Sequence, residues 1–547
     1  MSDVALPGSI EPAVRKGPDL EGGFHPLTGI IYMGVVAAAL LFVAYSVYID
    51  VDATGTKVTT FLPYLLLFVA LLIALAFEFV NGFHDTANAV ATVIYTRSLP
   101  AHIAVVWSGM FNLFGVLLSS GAVAFGIVAL LPVELVIHVG TAAGFAMVFS
   151  LLLAALIWNF ATWYVGIPAS SSHTLIGSIV GVGLMNAYLS GRPFGDGVNW
   201  GKVQDTFAAL LFSPLIGFIG AGLLLLLMKF LIRNPKLYES PVGDTPPVWW
   251  IRALLVLTCT GVSFAHGSND GQKGMGLIML ILIGILPGIY AINPATSADQ
   301  ITKMVATSHS VQSILDEKAG TTQLAGPESE AALSDFLKSG AKVNDETFAA
   351  LSHENRNIST IVASAPTPSK LTDDERRNLR TKVYLVGSSL AKMTKGGKIF
   401  TDTAQTALVK DYTKQLNAMT QYIPVWVKFA VALCLGIGTM IGWKRIVVTI
   451  GEKVGKAHLT YAQGASAEIV TWATIQSADV LGLPVSTTHI LTSGVAGTMA
   501  ANHSGLQTAT LRNIALAWVL TVPVTVLLGA GLFAAALEFI LRVFGVK

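Results

Sequence analysis

Charge is scarce in this sequence, and that scarcity limits the class of protein. Of its 547 residues, 12% are charged and 53% are hydrophobic, whereas a soluble domain carries about 25% charged residues. The uncharged residues form repeated runs of about 20, the length that an α-helix needs to cross a bilayer. We therefore expect an all-α polytopic membrane protein that is surrounded by lipid.

The sequence also lacks the motifs of several other protein classes. Cys259 and Cys434 are its only cysteines and lie in apolar runs, so neither a disulfide framework nor a cysteine metal site is expected. The string 271–273 does not continue into the GxxxxGK[ST] pattern of a nucleotide-binding loop. HExxH is absent too, so an enzyme such as an intramembrane hydrolase is a weak alternative. The net charge of +2 gives no reason to expect a nucleic-acid partner.

What is present is a pair of polar segments, 78–89 and 266–274, each within long apolar stretches. Both place polar side chains within four residues of an aspartate, and these are Asn81, His84, Asp85 and Asn88 in the first and His266, Asn269, Asp270 and Lys273 in the second. Side chains three or four residues apart share a helix face. Ionisable residues inside a membrane segment are functional-site candidates.

We interpret the two polar segments as halves of a site for a coupling ion. Its expected ligands are Asn81, His84, Asp85, Asn88, His266, Asn269, Asp270 and Gln272. Glycines at 82, 267 and 271 are expected to break the helices and release backbone carbonyls, as in transporters that bind cations at interrupted helices. The alternative is a pair of hydrogen-bonded clamps between helices. Lys273 has two interpretations, an ion pair with Asp270 or a tethered positive charge that faces an anion.

A second pair of motifs is rich in hydroxyl groups. Each follows a proline and opens a new apolar helix, and their side chains are Ser170, Ser171, Ser172 and His173 in one and Ser486, Thr487, Thr488 and His489 in the other. Ser and Thr cap helix N-termini, and the free N–H groups and partial positive charge there suit phosphate or another oxyanion. A simple N-cap is the alternative for one copy, but two copies favour an anion site.

The motifs recur at fixed offsets, which indicates an internal duplication. Pro168 and His173 align with Pro484 and His489, 316 residues later. Duplicated interruptions of apolar segments are typical of transporters. We expect an N-terminal tail and extra span at 1–60, a first transmembrane repeat at 61–232, and a second repeat at 248–293 and 423–543.

Residues 294–422 interrupt the second repeat and differ from it in composition. They contain 15 of the 34 Lys and Arg residues and 14 of the 32 Asp and Glu residues, without an apolar run long enough to span a membrane. We expect a small helical domain outside the membrane.

Electrostatics connects the two kinds of site. Two aspartates beside a bound oxyanion would repel it strongly at low dielectric. A cation or protons must therefore enter with the anion, which predicts symport.

Four segments together resemble the PiT family of inorganic phosphate transporters, and most closely its bacterial low-affinity Pit permeases. They are 81–93, 166–177, 266–274 and 483–489. The resemblance implies two inverted repeats with interrupted helices and helical hairpins, about 10–12 spans, and a multi-pass protein of the bacterial inner membrane. It also assigns functional roles to Asp85, Asn88, Asn269 and Asp270.

The resemblance further implies low-affinity phosphate symport with protons by alternating access. Phosphate would enter alone or as a neutral complex with Mg²⁺ or another divalent cation, without a permanently bound cofactor or structural metal. The phosphate ligands would be the eight residues of the hydroxyl-rich motifs and Lys273. His84 stands where sodium-coupled members usually have Asn, which favours protons or a metal complex. Sodium-coupled phosphate transport and a permease for sulfate or another oxyanion are the alternatives, and a homo-oligomer is compatible with the sequence.

Overall fold

The computed structural model describes residues 18, 20, 26–53, 62–131, 133–137, 141–241, 243, 245–338, 342–365, 367–395, 399–400 and 402–544. Most of the N-terminal tail expected at 1–25, and residues 54–61, therefore lie outside the described residues. The helices of the described chain are α1 (Pro26–Ala53), α2 (Leu62–Tyr95), α3 (Ala101–Leu118), α4 (Ala122–Val128), α5 (Val133–Ile137), α6 (Ala142–Val165), α7 (Ser171–Leu189), α8 (Trp200–Leu231), α9 (Trp249–Ile285), α10 (Pro287–Tyr290), α11 (Ala298–Ala319), α12 (Pro327–Leu337), α13 (Asp345–Ser364), α14 (Asp373–Lys395), α15 (Thr403–Thr420), α16 (Val425–Ile441), α17 (Lys444–Glu452), α18 (Tyr461–Val480), α19 (Thr487–Ala501) and α20 (Thr508–Phe544).

Seven helices of the described chain are long and apolar enough to cross a membrane, namely α1, α2, α3, α6, α8, α9 and α20. An eighth span results if α15 and α16, which meet at a 73° bend, are counted together. The all-α membrane class is confirmed, but the expected 10–12 spans are too many by this criterion. The difference arises at α16, which is only 17 residues long, and at the Ser-, Thr- and Gly-containing α7, α18 and α19, which are largely buried within protein.

Two helical hairpins, α6–α7 and α18–α19, form where the sequence predicts them. In each, a glycine with a left-handed backbone follows the first helix, at Gly166 (φ 75°) and Gly482 (φ 65°). This conformation suits glycine because it has no Cβ. Ser170 and Ser486 then cap the second helix, each accepting a hydrogen bond from the backbone N–H three residues later at 3.2 Å.

The two helices that carry the polar segments, α2 and α9, are continuous, so the expected breaks at Gly82, Gly267 and Gly271 are wrong. A Cβ at Gly82 would overlap the backbone of α16, and one at Gly267 would overlap the backbone of Asn112 on α3. At Gly271 it would meet the side chain of Val116 on α3. These glycines therefore allow neighbouring helices to approach closely and leave the helical hydrogen bonds intact.

Helices of the first half of the chain (α2–α8) pack against helices of the second half (from α9 on) around α2 and α9. The helix α3 packs on α9 and α16 packs on α2, while α7 packs on α20 and α19 packs on α8. α2 and α9 contact each other in antiparallel orientation, because Glu78 lies against Gly274 at one level and Thr92 and Thr258 share a partner at another. Antiparallel α2 and α9 are what an inverted duplication requires, although inversion of the whole repeats stays a prediction.

Helices α11–α15 lie within the segment expected as an extramembrane domain and pack around their own apolar core. Leu315, Leu351, Leu390 and Tyr412 are fully buried there. None of these described helices is a candidate span by itself, which together with the core fits an extramembrane unit, but the division of the chain into domains stays a prediction.

Candidate functional site

Asp85 is held by hydroxyl groups from the opposite half of the chain. Its Oδ1 accepts hydrogen bonds from Thr488 Oγ1 at 2.7 Å and Thr487 Oγ1 at 2.9 Å, at the start of α19. Asn88 Nδ2, one turn later on α2, donates to the same oxygen at 2.7 Å. The carboxylate is thus joined to the N-terminus of α19 in the second hairpin, which is the helix start expected to bind an anion.

Asp270 has a similar relationship to the first hairpin. Its Oδ2 accepts a hydrogen bond from Ser171 Oγ, at the start of α7, at 3.3 Å and lies 2.6 Å from Lys273 Nζ. The ammonium also donates to Ser171 Oγ at 3.3 Å. The ion pair of Lys273 with Asp270 is therefore present. Lys273 also lies at a helix start that is expected to bind the anion, so its second interpretation stays a prediction.

His266 lies between the two aspartates. Its Nε2 is 3.2 Å from Asp85 Oδ2 and 3.6 Å from Asp270 Oδ2. All three side chains are buried. One ligand atom from each residue can be chosen so that all three lie within 4.8 Å of one another. Carboxylate oxygens and an imidazole nitrogen can bind a proton or a divalent cation, so this triad is the centre of the candidate cation site.

The hydrogen bonds on the far side of the imidazole determine its tautomer. Thr439 Oγ1 donates to Leu435 O at 2.8 Å and accepts from Asn112 Nδ2 at 3.2 Å. The amide oxygen of Asn112 therefore faces His266 Nδ1, at 2.7 Å, and Nδ1 must carry a hydrogen. A neutral ring would then turn the lone pair of Nε2 toward two carboxylates. A proton or a cation at this position removes that repulsion.

The tips of the two hairpins also contact each other. Ser172 Oγ donates to Val485 O at 2.7 Å, and the rings of His173 and His489 are 4.7 Å apart. His489 also stacks on Trp518 of α20 at 3.9 Å. The starts of α7 and α19 therefore meet beside the aspartates. Because the first N–H groups of a helix have no partner within that helix, the meeting point can bind an oxyanion.

The structure brings eight of the predicted site residues into this cluster through the contacts above, and these are Asp85, Asn88, Ser171, His266, Asp270, Lys273, Thr487 and Thr488. Ser170 and Ser486 serve as N-caps beside it. The contacts of Ser172, His173 and His489 are with the opposite hairpin and with α20.

Other predicted ligands have different contacts. His84 Nε2 lies 2.7 Å from Asn159 O and 3.3 Å from Thr162 Oγ1, both on α6. Gln272 bonds to the backbone of Val123 and to the side chain of Asp479. These contacts join helices and do not include the central aspartates.

The remaining two predicted ligands are Asn269 and Asn81. Asn269 Nδ2 donates to Leu483 O in the second hairpin at 3.2 Å. Both polar atoms of the Asn81 side chain are buried and have no hydrogen-bond partner of normal geometry among the described residues.

Several polar residues near the site were not among the predicted ligands. Asn112 orients His266, and Asp479 accepts a hydrogen bond from Ser268 Oγ at 2.7 Å. Glu468 on α18 accepts hydrogen bonds from Thr92 and Thr258, and Glu78 is buried on α2. Glu78 lies in the first polar segment, and the other three are lone polar residues outside the duplicated pattern. The signal that identifies them is an ionisable or amide group inside an apolar run.

The interlocked hairpins, meeting two buried aspartates inside an apolar helical bundle, define the architecture of a membrane transporter. A model of the phosphate transporter family matches residues 81–529, and the chain belongs to this family. Family membership and the seven or more apolar helices confirm the expected localisation as a multi-pass protein of the bacterial inner membrane.

Two relatives with 42% identity support this assignment. The chain is 42% identical over 493 residues to the low-affinity inorganic phosphate transporter PitA of Escherichia coli strain K12, covering 87% of this chain and 97% of PitA. It is 42% identical over 491 residues, with the same coverage, to the low-affinity inorganic phosphate transporter of Buchnera aphidicola subsp. Acyrthosiphon pisum. A solved structure, the sodium-dependent phosphate transporter, is similar over 87% of this chain and 99% of its own, with 18% identity and a TM-score of 0.47.

Proposed function

We propose that the protein is a low-affinity symporter that imports inorganic phosphate together with protons. Its family and the names of its relatives support phosphate as the substrate. The observation that best supports coupling is that Asp85 accepts hydrogen bonds from Thr487 and Thr488. These hydroxyls are the donors that a phosphate would use, so the same groups connect the anion site to the cation site.

In the proposed mechanism, the hydroxyl groups exchange partners. While Asp85 is ionised, it holds Thr487 and Thr488 by charge-assisted hydrogen bonds, which are the stronger kind. A proton or cation at Asp85 weakens these bonds and releases the hydroxyls to phosphate. Phosphate therefore binds well only when the cation is present, which is the condition for obligatory symport.

Lys273 and the start of α7 supply the other half of the phosphate site. The ammonium lies beside Asp270 and Ser171, so it can turn toward an arriving phosphate oxygen. The proton or divalent cation that enters with phosphate then compensates Asp270 at the His266 triad. The substrate enters as phosphate or as its neutral complex with Mg²⁺ or another divalent cation, and the protein uses no resident cofactor.

Alternating access follows from the duplicated architecture. Each hairpin contacts an aspartate on a long helix of the other half. Movement of the hairpins around α2 and α9 would expose the central cluster first to one side of the membrane and then to the other. The duplicated polar sites suit such a cycle better than the single asymmetric site of an enzyme, so we assign the protein no catalytic reaction.

Uptake of labelled phosphate into proteoliposomes that contain the purified protein tests the proposed substrate. We expect uptake that is competed by unlabelled phosphate and arsenate but only weakly by sulfate. Stronger competition by sulfate than by phosphate would assign the protein to another oxyanion. Absence of phosphate uptake under every cation condition would refute the proposal.

Sodium coupling is the second candidate, and the Asp85–His266–Asp270 triad is the observation that favours a metal cation over a proton. Carboxylate oxygens suit a hard cation, but the imidazole nitrogen is a better proton acceptor than sodium ligand. Uptake that requires a sodium gradient at constant pH would establish this alternative.

A further inference from the structure

Glu78 is a buried carboxyl group that the proposed mechanism does not use. It lies on α2, seven residues before Asp85, and is 0% exposed. Neither carboxyl oxygen has a hydrogen-bond partner among the described residues. Asn81, three residues later on the same helix, lies close to the carboxyl group as a weak hydrogen-bond neighbour, but neither side chain makes a hydrogen bond of normal geometry. An ionised carboxylate is strongly disfavoured in such surroundings, so burial favours the protonated form of Glu78.

The surroundings of Glu78 connect it to the central cluster. The titratable and charged groups that face it are Lys273, Asp270 and His266 on α9 and the Cys434 thiol on α16. Lys273 is the only amine in this group, and it is fully buried. A positive charge that is buried beside two acids can compensate either of them.

Gly274 provides the space for Glu78. A Cβ at residue 274 would overlap the Glu78 carboxyl group, so this group lies directly against the α9 backbone at the residue that follows Lys273. The charge of Lys273, the residue before this contact, acts on the Glu78 carboxyl group.

We propose that Glu78 takes up and releases a transported proton in addition to the proton or cation at the His266 triad, and that Lys273 is its partner after release. The inference rests on the proposed proton-coupled function and names a further proton-binding residue within it. With Lys273 paired to Asp270, as in this structure, Glu78 is neutral. When Lys273 turns to Glu78, the Glu78 O–H bond breaks and the proton leaves to water on the side to which the site is open. The carboxylate is then compensated by the ammonium, and His266 remains beside Asp270.

This assignment predicts a separation of two transport modes. Return of the empty carrier requires Glu78 to lose its proton, whereas exchange of phosphate across the membrane uses only the loaded, protonated carrier. Glu78→Gln is nearly isosteric with the protonated acid and cannot release a proton. The variant should therefore exchange phosphate but fail to accumulate it.

The test uses the full chain in proteoliposomes with two assays. One measures net phosphate uptake driven by an inward proton gradient, and the other measures exchange of external labelled phosphate for internal unlabelled phosphate. For Glu78→Gln we expect net uptake to fall at least about tenfold while exchange stays within about twofold of the unmodified protein. Glu538→Gln is the matched control, because Glu538 is an exposed glutamate paired with Arg542 at the end of α20, and both of its rates should be unchanged.

Three results would overturn the assignment. Proton-driven net uptake with phosphate-coupled proton entry in Glu78→Gln would show that another group carries the proton. If Glu78→Gln folds but loses both net uptake and exchange, and phosphate no longer raises its thermal unfolding temperature, Glu78 has a role in substrate binding. Net uptake that depends on a sodium gradient and fails in Glu78→Gln would assign Glu78 to a metal cation.

If Glu78→Gln is not recovered in folded form, Glu78→Asp decides the question. This variant keeps an acid at the position, so proton-driven uptake with a shifted pH profile supports the assignment, and an unshifted profile contradicts it. The failure of the underlying function has a different signature. In that case the unmodified protein itself shows no proton-driven phosphate uptake.

Discussion

Asp85 and Thr488 are 403 residues apart in the chain and lie in opposite halves, yet the hydroxyl of Thr488 donates to Oδ1 of Asp85 at 2.7 Å. Ser171 and Asp270 form a similar contact at 3.3 Å with the halves exchanged. Each half thus supplies the carboxylate for one site and the hydroxyl groups for the other. Neither site is complete within one half, so substrate and coupling ion act on both halves at once.

Removal of either central carboxylate charge should stop transport. Asp85→Asn loses a charge-assisted acceptor of three hydrogen bonds, and Asp270→Asn leaves Lys273 without its anionic partner. A hydrogen bond to a charged group is worth about 1.5–3 kcal/mol, so we expect phosphate uptake to fall at least about tenfold in each variant. The measurement is proteoliposome uptake, normalised to protein that inserts and elutes as a single species. Full activity in both variants would refute the site.

Loss of the hydroxyls should weaken phosphate binding more than folding. Thr487→Val combined with Thr488→Val keeps the side-chain shape but removes the two hydroxyl groups that donate to Asp85. We expect the phosphate concentration for half-maximal uptake to rise about tenfold or more, since each hydroxyl bond contributes about 1 kcal/mol or more. Thr413→Val is the matched control, because the Thr413 hydroxyl bonds only to a backbone carbonyl of α15. An unchanged concentration dependence in the double variant would remove these hydroxyls from the phosphate site.

Close helix contact at Gly267 can be tested by adding one methyl group. Gly267→Ala places a Cβ against the backbone of Asn112, and overpacking of this kind costs about 1–3 kcal/mol. We expect a lower thermal unfolding temperature in detergent and reduced uptake. Gly531→Ala is the control, since a Cβ there meets nothing within 4 Å and alanine favours a helix interior by about 0.5–1 kcal/mol over glycine. Equal stability of the two variants would contradict the packing role of Gly267.

Lys382 should stabilise the helical segment 294–422 across the neutral pH range. Burial alone would lower the pKa of Lys382, but hydrogen bonds and attraction to Glu354 and Glu330 outweigh burial and raise this pKa. The stabilisation is therefore complete below the usual lysine pKa of about 10.4 and is lost only as pH rises through the higher folded-state value. Hydrogen-exchange protection of α12–α14, corrected for intrinsic exchange, should stay constant from about pH 6 to pH 9.

The variant that tests this pair is Lys382→Met, which leaves Glu354 buried and unpaired. Removing one partner of a buried pair costs about 3–5 kcal/mol, so protection of α12–α14 should fall sharply. Lys395→Met breaks an exposed ion pair with Asp205 and should change stability by about 1 kcal/mol or less. Similar effects of the two variants would show that the Lys382 pair has no special role.

The sequence predicts which residues form the site better than it predicts which residues they contact. Asp85, Asp270 and the hydroxyl-rich helix starts stand out because polar groups are rare in apolar runs and because each occurs twice. That Asp85 meets Thr488 instead of the hydroxyls of its own half depends on how long helices cross, which no local pattern encodes. Similarly, His84 lies in the same motif as Asp85 but points to α6, because adjacent residues of a helix face different neighbours.

The glycines illustrate a second limit of sequence reasoning. A glycine beside polar residues in a membrane segment is compatible with a broken helix and with a tight helix contact. Gly82, Gly267 and Gly271 belong to the second case, which only the facing helix reveals. Glu78, Asn112 and Glu468 occur singly, so a duplicated pattern does not identify them, although an acid in an apolar run is itself a usable signal.

The central claim is that phosphate moves together with protons through the cluster formed by the two halves. The most direct test is uptake of labelled phosphate into proteoliposomes in which the pH, sodium and magnesium gradients are set independently. We predict that an inward proton gradient accelerates uptake without sodium, and that phosphate entry acidifies the lumen. Uptake that is insensitive to the proton gradient and to added cations would contradict the account.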